Sequence, residues 1–146
     1  MSIQNYGKKL LNNGVLIAKP LLLHAHDAHK IWTPDFTESV VLVKASKQNY
    51  QSSLHFFWQT LFHQREVQNE QEALEVFSET HLHKTTLEQA KSIISKTCSL
   101  WFKQHSSLLP DARWIHIIWQ EANDICILFE DNTFYYSWSW DKSAFF

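Results

Sequence analysis

Apolar residues in the middle of the chain recur on a helical period, and those in the last third recur on a strand period. Over 53–64, Leu54, Phe57, Trp58, Leu61 and Phe62 fall at spacings of three and four, which lines them along one helix face for burial. Asn69-x-x-Glu72 has the form of a capping box with Asn in place of Ser or Thr. It opens a predicted helix over 70–80 with Ala73, Leu74 and Phe77 inward. Thr86-x-x-Gln89 opens a third helix, predicted over 86–105 on the pattern Leu87, Ala90, Ile94, Cys98 and Trp101, and ending before Pro110.

From 114 the period changes to two. Segments 114–120, 124–130 and 133–140 read as strands, separated by Glu121-Ala122-Asn123 and by Asp131-Asn132, which is the pattern of a β-meander. A two-residue turn at Asp131-Asn132 opposes Phe129 with Phe134, Ile127 with Tyr136 and Ile125 with Trp138. The reverse face then holds Cys126, Leu128, Tyr135, Ser137 and Ser139, joined by Ile115, Ile117 and Trp119 from the first hairpin. Both faces are apolar. One is expected under the helices, and the other needs the N-terminal segments or a partner to cover it. Those N-terminal segments, Val15–Ala18, Leu21–Leu23 and Val40–Val43, read as short buried strands. The expectation is one α+β domain over 1–146: a helical middle packed on a C-terminal three-stranded antiparallel meander, with extra N-terminal strands.

Composition narrows the chemistry. Two glycines in 146 residues, Gly7 and Gly14, leave no room for a dinucleotide-binding turn, a P-loop or a nucleophile elbow. Thirteen Lys plus Arg against fifteen Asp plus Glu give a net charge of −2, too little positive charge to hold a polyphosphate, so nucleic acid is not an expected partner. No apolar run approaches the 18 or so residues of a membrane span, and no membrane association is expected. The N-terminus carries no secretory pattern and the two cysteines, Cys98 and Cys126, make no disulfide framework, so a cytoplasmic location is expected.

Few residue groups point to catalysis. His24-x-His26-Asp27-x-His29 is the most suggestive string, because histidines two apart on an extended chain share a face. With His81-x-His83 it sketches the ligands of a metal-dependent hydrolase; the plainer reading is a polar loop. Cys98 and His105 share a helix side but stand about 10 Å apart along the axis, too far for a nucleophile and its base. No catalytic residue, metal ligand or cofactor is therefore assigned. Charge is segregated: 65–83 carries Arg65 against Glu66, Glu70, Glu72, Glu75 and Glu79, and the helical turn angle groups Glu72, Glu75 and Glu79 in one stripe. The plain reading is a solvated helix face. The functional one is a docking surface made of Glu66, Glu72, Glu75 and Glu79, with Trp119, Tyr135, Trp138 and Trp140 as aromatic anchors.

A small, glycine-poor, aromatic-rich, mildly acidic α+β chain with the hairpin Phe129-Glu-Asp-Asn-Thr-Phe-Tyr-Tyr-Ser-Trp-Ser-Trp140 resembles the bacterial toxin-immunity proteins in general character. That resemblance implies a stoichiometric inhibitor that binds a cognate protein toxin in the cytoplasm and blocks it without performing chemistry. A phage-encoded inhibitor and a non-catalytic adaptor are close variants. Oligomeric state is left open.

Overall fold

The structure is a computed structural model and describes residues 26–32, 38–63, 69–79 and 82–142. In chain order these form β1 (His26–Trp32), β2 (Glu38–Ser46), α1 (Ser53–His63), α2 (Glu70–Glu79), β3 (His83–Lys84), α3 (Leu87–Thr97), α4 (Ser99–His105), β4 (Trp114–Glu121), β5 (Asp124–Glu130) and β6 (Phe134–Lys142). The fold is α+β, as expected, and the C-terminal strands form the meander. Every strand pairing is antiparallel, in the order β1-β2-β6-β5-β4-β3, with β3 only two residues long. The strand expected at Val40–Val43 is the heart of β2, which lies beside β6. Those expected at Val15–Ala18 and Leu21–Leu23 lie outside the described residues.

The helices divide between the two faces of the sheet. On one, Phe56, Phe57, Trp58 and Leu61 of α1 and Ala73 of α2 pack with Val43, Ala45, Ile118, Cys126, Leu128 and Tyr135. On the other, Ala90 and Ile94 of α3 and Trp101 of α4 pack with Leu42, Ile115, Ile127, Phe129, Tyr136 and Trp138. The second apolar face is thus closed by α3 and α4. The N-terminal strand β2 adds Val40 and Leu42 to the same core, so helices as well as an N-terminal segment build this face. Burial on α1 is wider than the expected stripe: every residue from His55 to Leu61 is buried, polar ones included. Their polar atoms bond locally, with Thr60 Oγ1 donating to the Phe57 carbonyl at 2.7 Å, Tyr50 OH to Gln59 Oε1 at 3.3 Å, and the Gln51 N–H to His55 Nδ1 at 3.1 Å.

Both predicted caps form. Glu72 N–H donates to Asn69 Oδ1 at 3.0 Å, and Gln89 N–H to Thr86 Oγ1 at 3.1 Å. The long helix expected over 86–105 is two helices. Cys98, at φ −139° and ψ 76°, closes α3 by donating its N–H to Ile94 O and opens α4 by accepting from Phe102 N–H. Thr97, Cys98 and Ser99 are all modest helix formers, so a change of axis there costs little, and it keeps both Ile94 and Trp101 on the same core.

The β5–β6 register differs from the expected one by two residues. The Asp131 carboxylate accepts from both Thr133 N–H (2.8 Å) and Phe134 N–H (2.7 Å), and Asp131 N–H donates to the Phe134 carbonyl, so Asn132-Thr133 forms the tip. Ile125 now faces Trp140, Ile127 faces Trp138 and Phe129 faces Tyr136. An even slip leaves every side chain on its expected face. On β4 the expectation fails for Ile115 and Ile117. A bulge between Ile117 and Trp119 puts Ile115 and Ile117 on the α3–α4 side, and Ile118 and Trp119 on the α1–α2 side.

Candidate functional site

Antiparallel pairing brings the start of β2, the β4–β5 turn and the end of β6 to one edge. Asp124 stands opposite Asp141 and pairs with Glu121, while Glu38 stands opposite Lys142. Between them and the end of α3 lies a groove of about 520 Å³ lined by Glu38, Thr97, Gln120, Glu121, Ala122, Ile125, Trp140 and Lys142. Trp140 Nε1 donates to Glu38 Oε1 at 2.9 Å and fixes one wall, and Lys142 N–H donates to Asn123 O at 2.8 Å and ties the turn to β6. Glu38 and Glu121 line the groove itself, whereas Asp124 and Asp141, paired with each other, stand at the same end of the sheet outside its lining.

That crowding shows in the acidity of Asp124. Burial raises its pKa most. The nearby Trp119 indole N–H, which lies outside hydrogen-bond geometry, opposes this, and the charges of Asp141 and Glu121 raise it further, for a net increase. A raised carboxyl means the folded state holds the proton more tightly than the unfolded state. Its favourable contribution is complete below the ordinary carboxylate range and is lost as pH rises through the folded value. Asp124→Asn is accordingly expected to stabilise the protein at pH 7 by about 0.2–1 kcal/mol, the scale of a cross-strand like-charge pair, with the gain shrinking towards pH 4. Urea midpoints at the two pH values check this, and a variant no more stable than the parent at pH 7 contradicts the repulsion.

The opposite edge is charge-balanced. A hollow of about 280 Å³ is lined by Lys47, Asp111, Arg113, Trp114, Glu130, Asp131 and Asn132. Lys47 Nζ lies 2.7 Å from Glu130 Oε1 and donates to the Asp131 carbonyl at 3.2 Å; Lys44 sits over the Phe134 ring at 4.1 Å. These pairings hold the β5–β6 turn against β2. Nearby, His116 stacks on Trp114 with ring centroids 4.0 Å apart; burial, then the charge of Lys84, lowers its pKa against a smaller opposing effect of Glu130, which keeps the imidazole neutral near pH 7.

The aromatic anchors expected at the surface are core residues. Trp138 is 0% exposed, Tyr135 4% and Trp140 5%, each wedged between sheet and helices, so they offer a partner almost nothing to touch. Trp119 is half-buried, tilted against Phe57 at 5.9 Å. Alternation along a strand cannot distinguish a sheet face meant for a partner from one meant for a helix. Of the acidic stripe, Glu72 is half-buried and Glu75 exposed, on the side of α2 away from Ala73, with Glu75 accepting from Gln71 Nε2 at 3.3 Å. Glu79 is the last residue of α2, and Glu66 lies outside the described residues.

The histidine string reads differently too. His24 and His81 lie outside the described residues, and the stretch expected as a loop is strand β1 from His26 onward. Positions 26 and 29 pair with Ala45 and Leu42, which pack in the cores on opposite faces, so the backbone places the two positions on opposite sides of the sheet. Among the described residues no group of three or more His, Cys, Asp or Glu is arranged to hold a metal ion. Burial raises the Cys98 thiol, which a backbone bond at Trp101 only partly offsets, and the His105 ring lies against Trp101 at 5.8 Å. The residues that sequence reasoning missed are Glu38, Glu121, Asp124 and Asp141. Only Glu121 and Asp124 are close in sequence, flanking the turn, and Glu38 joins them through the long-range β2–β6 pairing.

No protein-family model matches the chain, no curated protein is similar to it, and no solved structure matches its fold. Among the described residues no helix is long and apolar enough to cross a membrane.

Proposed function

We propose that this chain is an immunity-type protein that binds a cognate bacterial toxin stoichiometrically and neutralises it through protein–protein contact, without transforming a small molecule. The observation that carries this reading is the acidic end of the sheet, where Glu38 and Glu121 line the groove with Lys142 as the one cation among its described lining residues, and the Asp124–Asp141 pair stands at the same strand ends. Clustered carboxylates on one sheet edge raise the association rate with a basic cleft, and a partner's Lys or Arg relieves the repulsion from Asp141 and Glu121 that adds to the effect of burial on the Asp124 pKa.

The test is co-expression with the product of the reading frame adjoining its gene. That product is expected to arrest growth alone and to be harmless beside this chain, with the purified pair forming a one-to-one complex. The double replacement Glu121→Lys and Asp141→Lys is expected to slow association by about tenfold or more and to weaken its dependence on salt. Absence of protection, or association kinetics untouched by the double replacement, overturns the reading.

A further inference from the structure

From Gln89 to Pro110 the chain contains Lys91, Lys96 and Lys103 and no Asp or Glu, although carboxylates outnumber cations in the chain as a whole. This segment builds α3 and α4, whose inner residues are committed to the core. Lys96 and Lys103 are exposed on its outer side, together with two large apolar residues, Leu100 at 45% and Leu108 at 44%. Isolated surface leucines are ordinary; Leu100, set in a helix pair that carries Lys91, Lys96 and Lys103 against the single carboxylate Glu88, belongs to a face with both apolar area and a net positive sign. Its position gives it a complement. Thr97, next to Lys96 and three residues before Leu100, lines the same groove as Glu38 and Glu121, so the C-terminal end of α3 adjoins the acidic end of the sheet.

We infer that the outer face of α3–α4 docks on the acidic sheet edge of a second copy of this chain, forming a two-fold dimer. Two adjoining patches of opposite sign complement their own copy when related by a two-fold axis: the lysines of one protomer meet the carboxylates of the other, and the reverse contact follows by symmetry. Leu100, exposed three residues beyond Thr97, loses water if the pairing covers it. The inference does not depend on the toxin reading. Such a dimer covers the groove, so a basic partner would have to displace the second copy.

Sedimentation velocity of the purified chain tests it over a concentration series. The expected result is a monomer–dimer equilibrium that shifts towards monomer between about 0.1 M and about 1 M salt, as the screening length falls from about 10 Å to about 3 Å. Two surface variants then separate this interface from any other. Lys96→Glu with Lys103→Glu leaves both patches negative, and Glu121→Lys with Asp141→Lys leaves both positive. Each alone is expected to raise the dimer Kd by at least about tenfold, and an equimolar mixture is expected to restore dimer, because both contacts are again complementary. Circular dichroism confirms that each variant is folded. A chain monomeric at all concentrations, a dimer indifferent to both reversals, a mixture that stays monomeric, or a monomer that instead binds phosphatidylserine vesicles through Lys96 and Lys103 overturns the inference.

Discussion

Trp138→Ala is expected to remove about 3–5 kcal/mol of stability, a large share of the roughly 5–15 kcal/mol typical of a whole domain. The indole is fully buried in β6, between Leu42 on β2 and Ile127 on β5, and meets the Trp101 ring of α4 edge-on at 5.9 Å. Deleting it opens a void at the point where both neighbouring strands and one helix layer converge. Nothing there can collapse without moving the central strands. Urea unfolding followed by circular dichroism measures the loss, and Trp138→Phe, which keeps an aromatic filler, is expected to lose clearly less. A Trp138→Ala protein as stable as the parent but weakened in partner binding would return this residue to the surface role that its sequence pattern suggested.

The second large effect is expected at Asp131. Its carboxylate accepts from Thr133 N–H and Phe134 N–H and, through Oδ2, from Tyr136 OH at 2.9 Å. Burial alone raises this carboxyl, but the bonds from Phe134, Thr133 and Tyr136, with the charge of Lys44, outweigh it and hold the pKa below the usual carboxylate range. Burial, then the bond to Asp131 and its charge, pushes the Tyr136 phenol well above its ordinary value. Asp131→Ala is expected to cost about 1–3 kcal/mol at neutral pH, the lower part of that range reflecting a partly exposed carboxylate. A depressed carboxyl contributes stability that is complete above the unfolded value near about 3.9 and is lost as pH falls through the folded value. The parent should therefore lose this part of its stability in acid, whereas Asp131→Asn, similar in shape and unable to ionise, should lack that dependence. Unfolding midpoints between neutral pH and pH 3 compare the two; parallel profiles refute the assignment.

The two residues differ in how far sequence revealed them. Asp131 was placed at a turn correctly, but one position off centre, because the choice of tip depends on which backbone N–H groups its carboxylate captures. Trp138 was placed on the correct face. Its burial is not legible, since a strand's alternation records only that a face is apolar. The acidic end of the sheet is scarcely legible: Glu38 and Asp141 are distant along the chain, and only the pairing of β2 with β6 brings them to one edge. The proposed dimer face was half legible, in the carboxylate-free stretch from Gln89 to Pro110, which says nothing of its neighbour until Thr97 is seen in the groove.

Local periodicity, caps and turn residues settled the three helical regions, the meander and the sidedness of β5 and β6, because those properties depend on neighbours within a few positions. Long-range packing decided the rest: β2 beside β6, α1 and α2 on one face with α3 and α4 on the other, the bulge that redirects β4, and the four carboxylates at one end of the sheet. The physical reason is that burying apolar area rewards any element able to cover a face. Which element covers which face is decided by competition among distant segments, and that competition leaves no mark on a short stretch of sequence.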